Sequence, residues 1–315
     1  MALEALNQKY VKEAMGCVKR AEEHLKTSIL KMKFKPDYDS AAMEYERAAV
    51  CYRNASELSR SCVCYEKAAE MHFSNGNIFH SAKGLENAAS LYKELGEHDK
   101  ASSHMEVAID RYAEAGTLDT AAMALDKAAK LFEKSDPAKA INFYKKAIEM
   151  VLQTDHSKMA DDFTTRLTRL YLDTEQYKEA ADTVDTLLEK YLELKDGGKV
   201  GQLALALVLI HLVREDTVAA DKELQKAARC ESFLHSQYAN SCQALISTFE
   251  SSDTELFRQI LQRSELKSMD NEYLRLIKKL MVMELEGDSS NQPENIGNEK
   301  NEENLFYDEG DGDLK

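Results

Sequence analysis

The sequence predicts an all-α chain: a right-handed superhelix of antiparallel helical hairpins followed by a C-terminal helical bundle. Three observations predict it. The 315 residues are rich in Ala, Glu, Lys and Leu, with only 3 Pro, 12 Gly and no Trp, a mix that suits long helices. No stretch alternates convincingly with the two-residue period of a strand. A pattern of small, large and aromatic residues returns every twenty positions from about residue 38 to 195.

Within each period the first position is small: Ala41, Ser61, Ser81, Ala101 and Ala121. Four residues on stand Tyr45, Tyr65, Leu85, Met105 and Leu125, then Ala48, Ala68, Ala88, Ala108 and Ala128, and then Tyr52, His72, Tyr92, Tyr112 and Phe132. Offsets of 0, 4, 7 and 11 share one face of a helix. After Pro137 the register slips by one and continues as Ala140, Tyr144, Ala147 and Val151, with weaker echoes at Ala160, Leu167 and Tyr171 and at Ala180, Val184, Leu187 and Tyr191. Gly76, Gly96 and Gly116 fall where each helix must end, and glycine suits the left-handed residue of a C-terminal cap. Asp136 before Pro137 reads as a helix start, and Asp39, Asp99 and Asp119 lie near three others. Each period then holds about fourteen helical residues and a connection of about five, short enough to force antiparallel neighbours. Two periods make one hairpin, and stacked hairpins make a TPR-like solenoid.

Three regions are expected: the solenoid over 1–198, the bundle over 199–286, and a disordered acidic tail over 287–315. Asp196-Gly197-Gly198 offers a joint between the first two. Leu203 to Val213 is apolar on nearly all sides but is only eleven residues long and contains His211, so it reads as a buried core helix and not a membrane span. The last helix is expected at 271–285. Beyond it Gly, Asn, Ser, Asp and Glu dominate.

Enzyme chemistry finds no footing. Neither GxxxxGK[ST], GxGxxG nor HExxH occurs, so no catalytic residue, metal or cofactor is assigned. The six cysteines lack paired metal spacing and read as free thiols. His72 stands where other periods carry an aromatic ring, which makes it a packing residue. The aromatics at 52, 92, 112 and 132 read as core. The acids that follow each large residue, Glu46, Glu66, Glu86, Glu106 and Asp126, read as a solvated helix face. The start, MALEALNQKY, has no secretory pattern, so a cytoplasmic protein is expected.

The net charge of −15 is uneven. Residues 284–315 hold eleven acids and two bases, whereas residues 1–35 hold eight bases and four acids and residues 127–169 nine bases and six acids. No broad cationic face for nucleic acid results. Three surfaces stand out instead. Ile29, Leu30, Lys31, Met32, Lys33, Phe34 and Lys35 alternate apolar groups with lysines between two helices, a chemistry that fits an anionic membrane surface as well as a folded loop. Lys127, Lys130, Lys145, Lys146, Arg166 and Arg169 offer bases to an acidic helical partner. The acidic tail carries Leu305-Phe306-Tyr307 and ends in Asp311, Gly312, Asp313, Leu314 and Lys315.

The passages KPDYDSAAMEYERAAVCYRNA (35–55) and GTLDTAAMALDKAAKLFEKSDPAKAINFYKKAIEM (116–150), with the basic-apolar loop before Pro36, resemble the soluble NSF attachment proteins, the gamma type above all. The resemblance covers most of 20–195 and implies an adaptor that grips the SNARE four-helix bundle, of syntaxin-type and other SNAREs, and recruits the hexameric ATPase NSF to disassemble it during vesicular transport. It implies membrane contact at Ile29 to Lys35, SNARE contact at the six bases above, NSF contact at Asp311, Asp313 and Leu314, and peripheral attachment to membranes. Asp161 and Asp162 depart from it, standing where a base is expected. The other reading is a TPR-like scaffold of a different complex, against which the forty-residue hairpin counts because the standard module repeats at thirty-four.

Overall fold

The computed structural model describes residues 2–27, 34–153 and 157–289, and every regular element in them is an α-helix. After α1 (Ala2–Leu25) come α2 (Tyr38–Asn54), α3 (Leu58–Ser74), α4 (Ile78–Glu94), α5 (His98–Glu114), α6 (Leu118–Phe132), α7 (Pro137–Leu152), α8 (Ser157–Asp173), α9 (Tyr177–Glu193) and α10 (Gly197–Val213). The chain closes with α11 (Thr217–Ala227), α12 (Glu231–Leu234), α13 (Gln237–Glu250), α14 (Thr254–Leu261), α15 (Ser264–Lys267) and α16 (Asn271–Ser289). The all-helical, TPR-like stack of hairpins expected from the period is what the chain forms. The last helix runs four residues past the expected 285.

The twenty-residue period resolves into seventeen helical residues and a three-residue turn, not fourteen and five. The reason is the turn's economy. Gly76, Gly96 and Gly116 adopt φ of 77°, 77° and 73°. Each hands its N–H to the carbonyl three residues back, and the next residue reaches the carbonyl five back, as in Gly76 N to Phe73 O at 2.9 Å and Asn77 N to His72 O at 2.8 Å. One left-handed residue therefore ends a helix and aims the next. The same bend occurs at Ser56, Glu175, Lys195 and Glu215, with φ of 54–61°, so glycine marks only some of these turns. Asp37, Asn77, Asp136, Asp196 and Asp216 cap the following helices by accepting a backbone N–H, while Asp39, Asp99 and Asp119 sit in first turns.

The repeated alanines are the innermost groups: Ala48, Ala68, Ala88, Ala108 and Ala128 are fully buried. Small side chains let helix axes approach closely. Gly84 carries this furthest, since a Cβ there would stand 3.0 Å from Ala69 Cβ. Because turns are short, α2, α4, α6 and α8 form one layer and α3, α5, α7 and α9 the other. Ion pairs stitch each layer between alternate helices, Arg53 to Glu94 and Lys127 to Glu86 in the first, Lys139 to Glu106 in the second.

Helix α10 differs in kind. Val200, Ala204 and every residue from Leu205 to Val213 are buried, because α9, α11, α12, α13 and α16 surround it. The Tyr238 ring packs on Gly201, where a Cβ would meet it at 2.6 Å. Gly197 and Gly198 begin the helix, and Asp196 caps it by accepting from Lys199 N at 3.1 Å. Helix α16 folds back on α8 and α10, placing Leu276 and Leu280 in a core that continues from Ala82.

Candidate partner-binding surface

The acids expected on a solvated face do something else. Glu46, Glu66 and Glu86 each accept a hydrogen bond from the aromatic position twenty-six residues later, in the next helix. His72 Nε2 lies 3.2 Å from Glu46, Tyr92 Oη donates to Glu66 at 2.7 Å, and Tyr112 Oη to Glu86 at 2.7 Å. Phe132 lacks a hydroxyl, and Glu106 pairs instead with Lys139 at 3.0 Å. Glu86 and Asp126 are buried. The solvated-face reading is therefore corrected for this ladder: an aromatic core residue needs a partner for its polar tip, and the acid of the preceding helix supplies it. The spacing of twenty-six between acid and tyrosine is the signal that would have found it. His72 and the tyrosines are core residues, as their place in the period implies.

Bases pair with three of the buried acids. Glu44 takes Arg20 at 2.8 Å and Arg47 at 3.0 Å; Glu86 takes Lys83 at 3.2 Å and Lys127 at 2.5 Å; Asp126 takes Lys130 at 2.8 Å and also Arg166. Each cluster sets two bases against one acid. Taken by itself each cluster carries one excess positive charge, although α1, α2, α4, α6 and α8 as a whole hold acids and bases in near balance. The hydrogen bond from Arg20 holds Glu44 below the ordinary carboxylate value. Burial pushes Glu86 up, but the bonds from Lys127 and Tyr112 and the nearby Lys83 outweigh it and leave it low as well. Both acids are ionised at neutral pH, and the bases above them are about half exposed.

Three of the six bases singled out in the sequence, Lys127, Lys130 and Arg166, thus meet in this array. Lys145 and Lys146 are exposed on α7, in the other layer, with Lys145 Nζ 5.8 Å from the centre of the Tyr171 ring. Arg169 joins a separate seam, where it pairs with Asp270 at 2.7 Å, while Arg275 meets Asp173 and Lys279 donates to Glu175 at 3.1 Å and Tyr177 at 3.0 Å. That seam ties α16 to the end of α8 and the turn after it. A cavity of about 690 Å³ opens beside it, lined among others by Asp162, Arg166, Arg169, Lys199, Tyr238 and Tyr273, with acids and bases in balance. Ile29 to Lys33 and Asp311, Asp313 and Leu314 lie outside the described residues; Phe34 and Lys35 are exposed. Among the described residues no group of three or more acids, cysteines and histidines is placed to hold a metal ion, and no helix is long and apolar enough to cross a membrane.

Comparison with known proteins is decisive at this point. The family model for Soluble NSF attachment protein, SNAP, matches residues 12–279, most of the chain. The chain belongs to the soluble NSF attachment protein family. Two SNAP relatives are similar to it in sequence. The gamma-soluble NSF attachment protein of Dictyostelium discoideum is 27% identical over 268 residues, 84% of this chain and 81% of that protein. The gamma-soluble NSF attachment protein of Arabidopsis thaliana is 24% identical over 152 residues, 48% of this chain and 52% of that protein. Among solved structures, BtubC (BKLC) from P. vanneervenii is similar with a TM-score of 0.42 and 16% identity, over 74% of this chain and 92% of that one. The SNAP match covers α8 and α16 as far as Lys279 as well as the regular repeat, so it includes the seam between them.

Proposed function

We propose that this SNAP-family protein is an adaptor, not an enzyme, which binds the SNARE four-helix bundle and attaches NSF to it for ATP-driven disassembly in vesicular transport. The observation that carries the reading is the base–acid–base array on α2, α4, α6 and α8. An elongated acidic helix bundle can lie across several such steps, each contributing a weak, screened contact. Lys127, Lys130 and Arg166 act there. Lys145 and Lys146 on α7 and Arg169 in the α8–α16 seam offer further contacts outside the array.

Many weak contacts suit an adaptor that must release its cargo. Membrane attachment through Ile29 to Lys35 and engagement of NSF through Asp311, Asp313 and Leu314 raise the effective concentration of each partner for the others. The protein works in the cytoplasm and at membrane surfaces.

The test is reconstitution. The full chain is incubated with purified SNARE complex, NSF and ATP, and disassembly is followed. Lys127→Ala with Lys130→Ala is expected to weaken SNARE binding about tenfold, by removing two charge-assisted contacts. Failure of the unmodified chain to bind SNARE complex, or to support ATP-dependent disassembly, sinks the reading.

A further inference from the structure

Alternation divides the solenoid's turns between two ends. The connections after α1, α3, α5, α7 and α9 lie at one end, and those after α2, α4, α6, α8 and α10 at the other. The connections at the two ends differ in charge, although the adjoining helical turns largely offset that difference. At the second end the connections hold seven acids and two bases. At the first end the described residues of the connections hold three bases, Lys26, Lys35 and Lys195, and two acids, Asp37 and Asp196. Among the described residues the exposed phenylalanines all stand at the first end, although Val218 is exposed at the second. Phe34, Phe73, Phe79, Leu152 and Leu194 are exposed at the first end, with Phe34 at 72%.

Two of these break the repeat. Phe73 stands where neighbouring periods carry Arg53 and Lys93, and Phe79 where they carry Asp39, Asp99 and Asp119. Both flank the turn at Gly76, 48% and 37% exposed. The period does not require a ring at either position, since other periods carry charged or small residues there, Ser59 and Ala113 among them. The Arg111 guanidinium lies over the Phe73 ring at 4.4 Å and donates to Ser81 Oγ, which uses one of its five N–H donors. The Phe79 ring meets the edge of Tyr112 at 5.3 Å. Two rings and the Arg111 guanidinium of α5 thus sit together at this end of the molecule.

We propose that Phe73 and Phe79, flanking the turn between α3 and α4, together with Arg111 of α5 form a second membrane-contacting site that inserts its rings at an anionic bilayer surface, at the same end of the molecule as Phe34 and Lys35. A ring at the headgroup level with a guanidinium above it satisfies both halves of that interface. The inference deepens the membrane part of the proposed function and rests on it for the orientation of the molecule.

The chain has no Trp, so Phe73→Trp supplies a single reporter. Vesicles of phosphatidylcholine with phosphatidylserine are expected to shift its emission to the blue, and pure phosphatidylcholine vesicles to shift it less. Val218→Trp, at the opposite end, is expected to show no shift. In flotation with the same vesicles, Phe73→Ser is expected to weaken binding by about tenfold, on the scale of withdrawing one large apolar side chain from an interface. Phe73 is about half exposed and stands outside the core clusters of the described residues, and circular dichroism checks that the helix content is kept. Leu30→Ser with Phe34→Ser forms the second arm. Loss in that arm alone, with no Trp shift, overturns the inference and leaves the loop as the membrane contact. Loss with Phe73→Ser alone overturns the loop reading and upholds the inference. A Trp shift on adding lipid-free SNARE complex, with none on vesicles, overturns the inference in favour of a protein contact.

Discussion

The regular repeat from α2 to α9 and the region centred on α10 bury themselves by opposite means. In the repeat the innermost positions are alanines, helix axes are close, and the larger rings keep a polar tip tied to an acid of the preceding helix. Around α10 the core is thick with Leu, Val and Ile, and glycine appears where another side chain must cross, as Tyr238 does over Gly201. Contacts in the repeat join helices one or two apart in sequence, whereas α16 returns to α8 across about a hundred residues. The difference separates two tasks: a layer that presents a periodic charged surface, and an end that is closed by non-local packing.

The largest test of that contrast lies in α10. Leu209 is fully buried, and Leu209→Ala is expected to cost about 3 kcal/mol, because removing buried methylenes leaves a cavity the surroundings only partly close. Urea unfolding checks it. A cost under about 1 kcal/mol would mean that α10 is not the packed centre its burial implies. Next in size is the ladder. Tyr112→Phe keeps the ring but removes the donor to Glu86, leaving a buried carboxylate with one bond fewer; a loss of about 1.5 kcal/mol is expected. Phe132, already without a hydroxyl, marks a position where this partner is not needed. Equal stability of Tyr112→Phe and the unmodified chain would reduce the ladder to a packing coincidence.

These same features explain what was legible in sequence. The helix period was plain because alanine and aromatic positions recur at 3.6-residue spacing, a local signal. Helix lengths were underestimated because the left-handed turn residue is Ser56, Glu175, Lys195 or Glu215 as often as glycine, and those side chains advertise nothing. The acids were misread because their partners stand twenty-six residues away, beyond the i,i+4 neighbours that a single helix reveals. The bases at 127, 130 and 166 were visible as a charge run, but the acids that hold them at the surface were not. Arg169 was grouped with them although Asp270 claims it, a pairing across about a hundred residues that no local pattern encodes.

The smallest effect separates two carboxyls that look alike in sequence. Glu86 in α4 is surrounded by donors, whereas Glu223 in α11 has a buried Oε2 without a hydrogen-bond partner and faces Asp185 and Glu189 of α9. Lys226, the base between the helices, is engaged by Asp185 and by Glu189, the latter at 2.7 Å. Burial, reinforced by Asp185, pushes Glu223 up to about 7. The signs are opposite. Glu86, held low, stabilises the fold above its ordinary value of 4.5, and that stability is lost as pH falls through its lower folded value. Glu223, held high, favours the folded state below 4.5, and this contribution is lost as pH rises from there through about 7. Glu223→Gln is therefore expected to raise stability above pH 7 and to change nothing at pH 4, by less than about 1 kcal/mol because solvent screens the partly exposed site. Glu86→Gln is expected to lower stability at pH 7 and to lose its effect on strong acidification. Thermal unfolding of both variants across this range checks the pair. Parallel pH profiles would show that α9 and α11 meet as the other helices do, with no carboxyl held against its own charge.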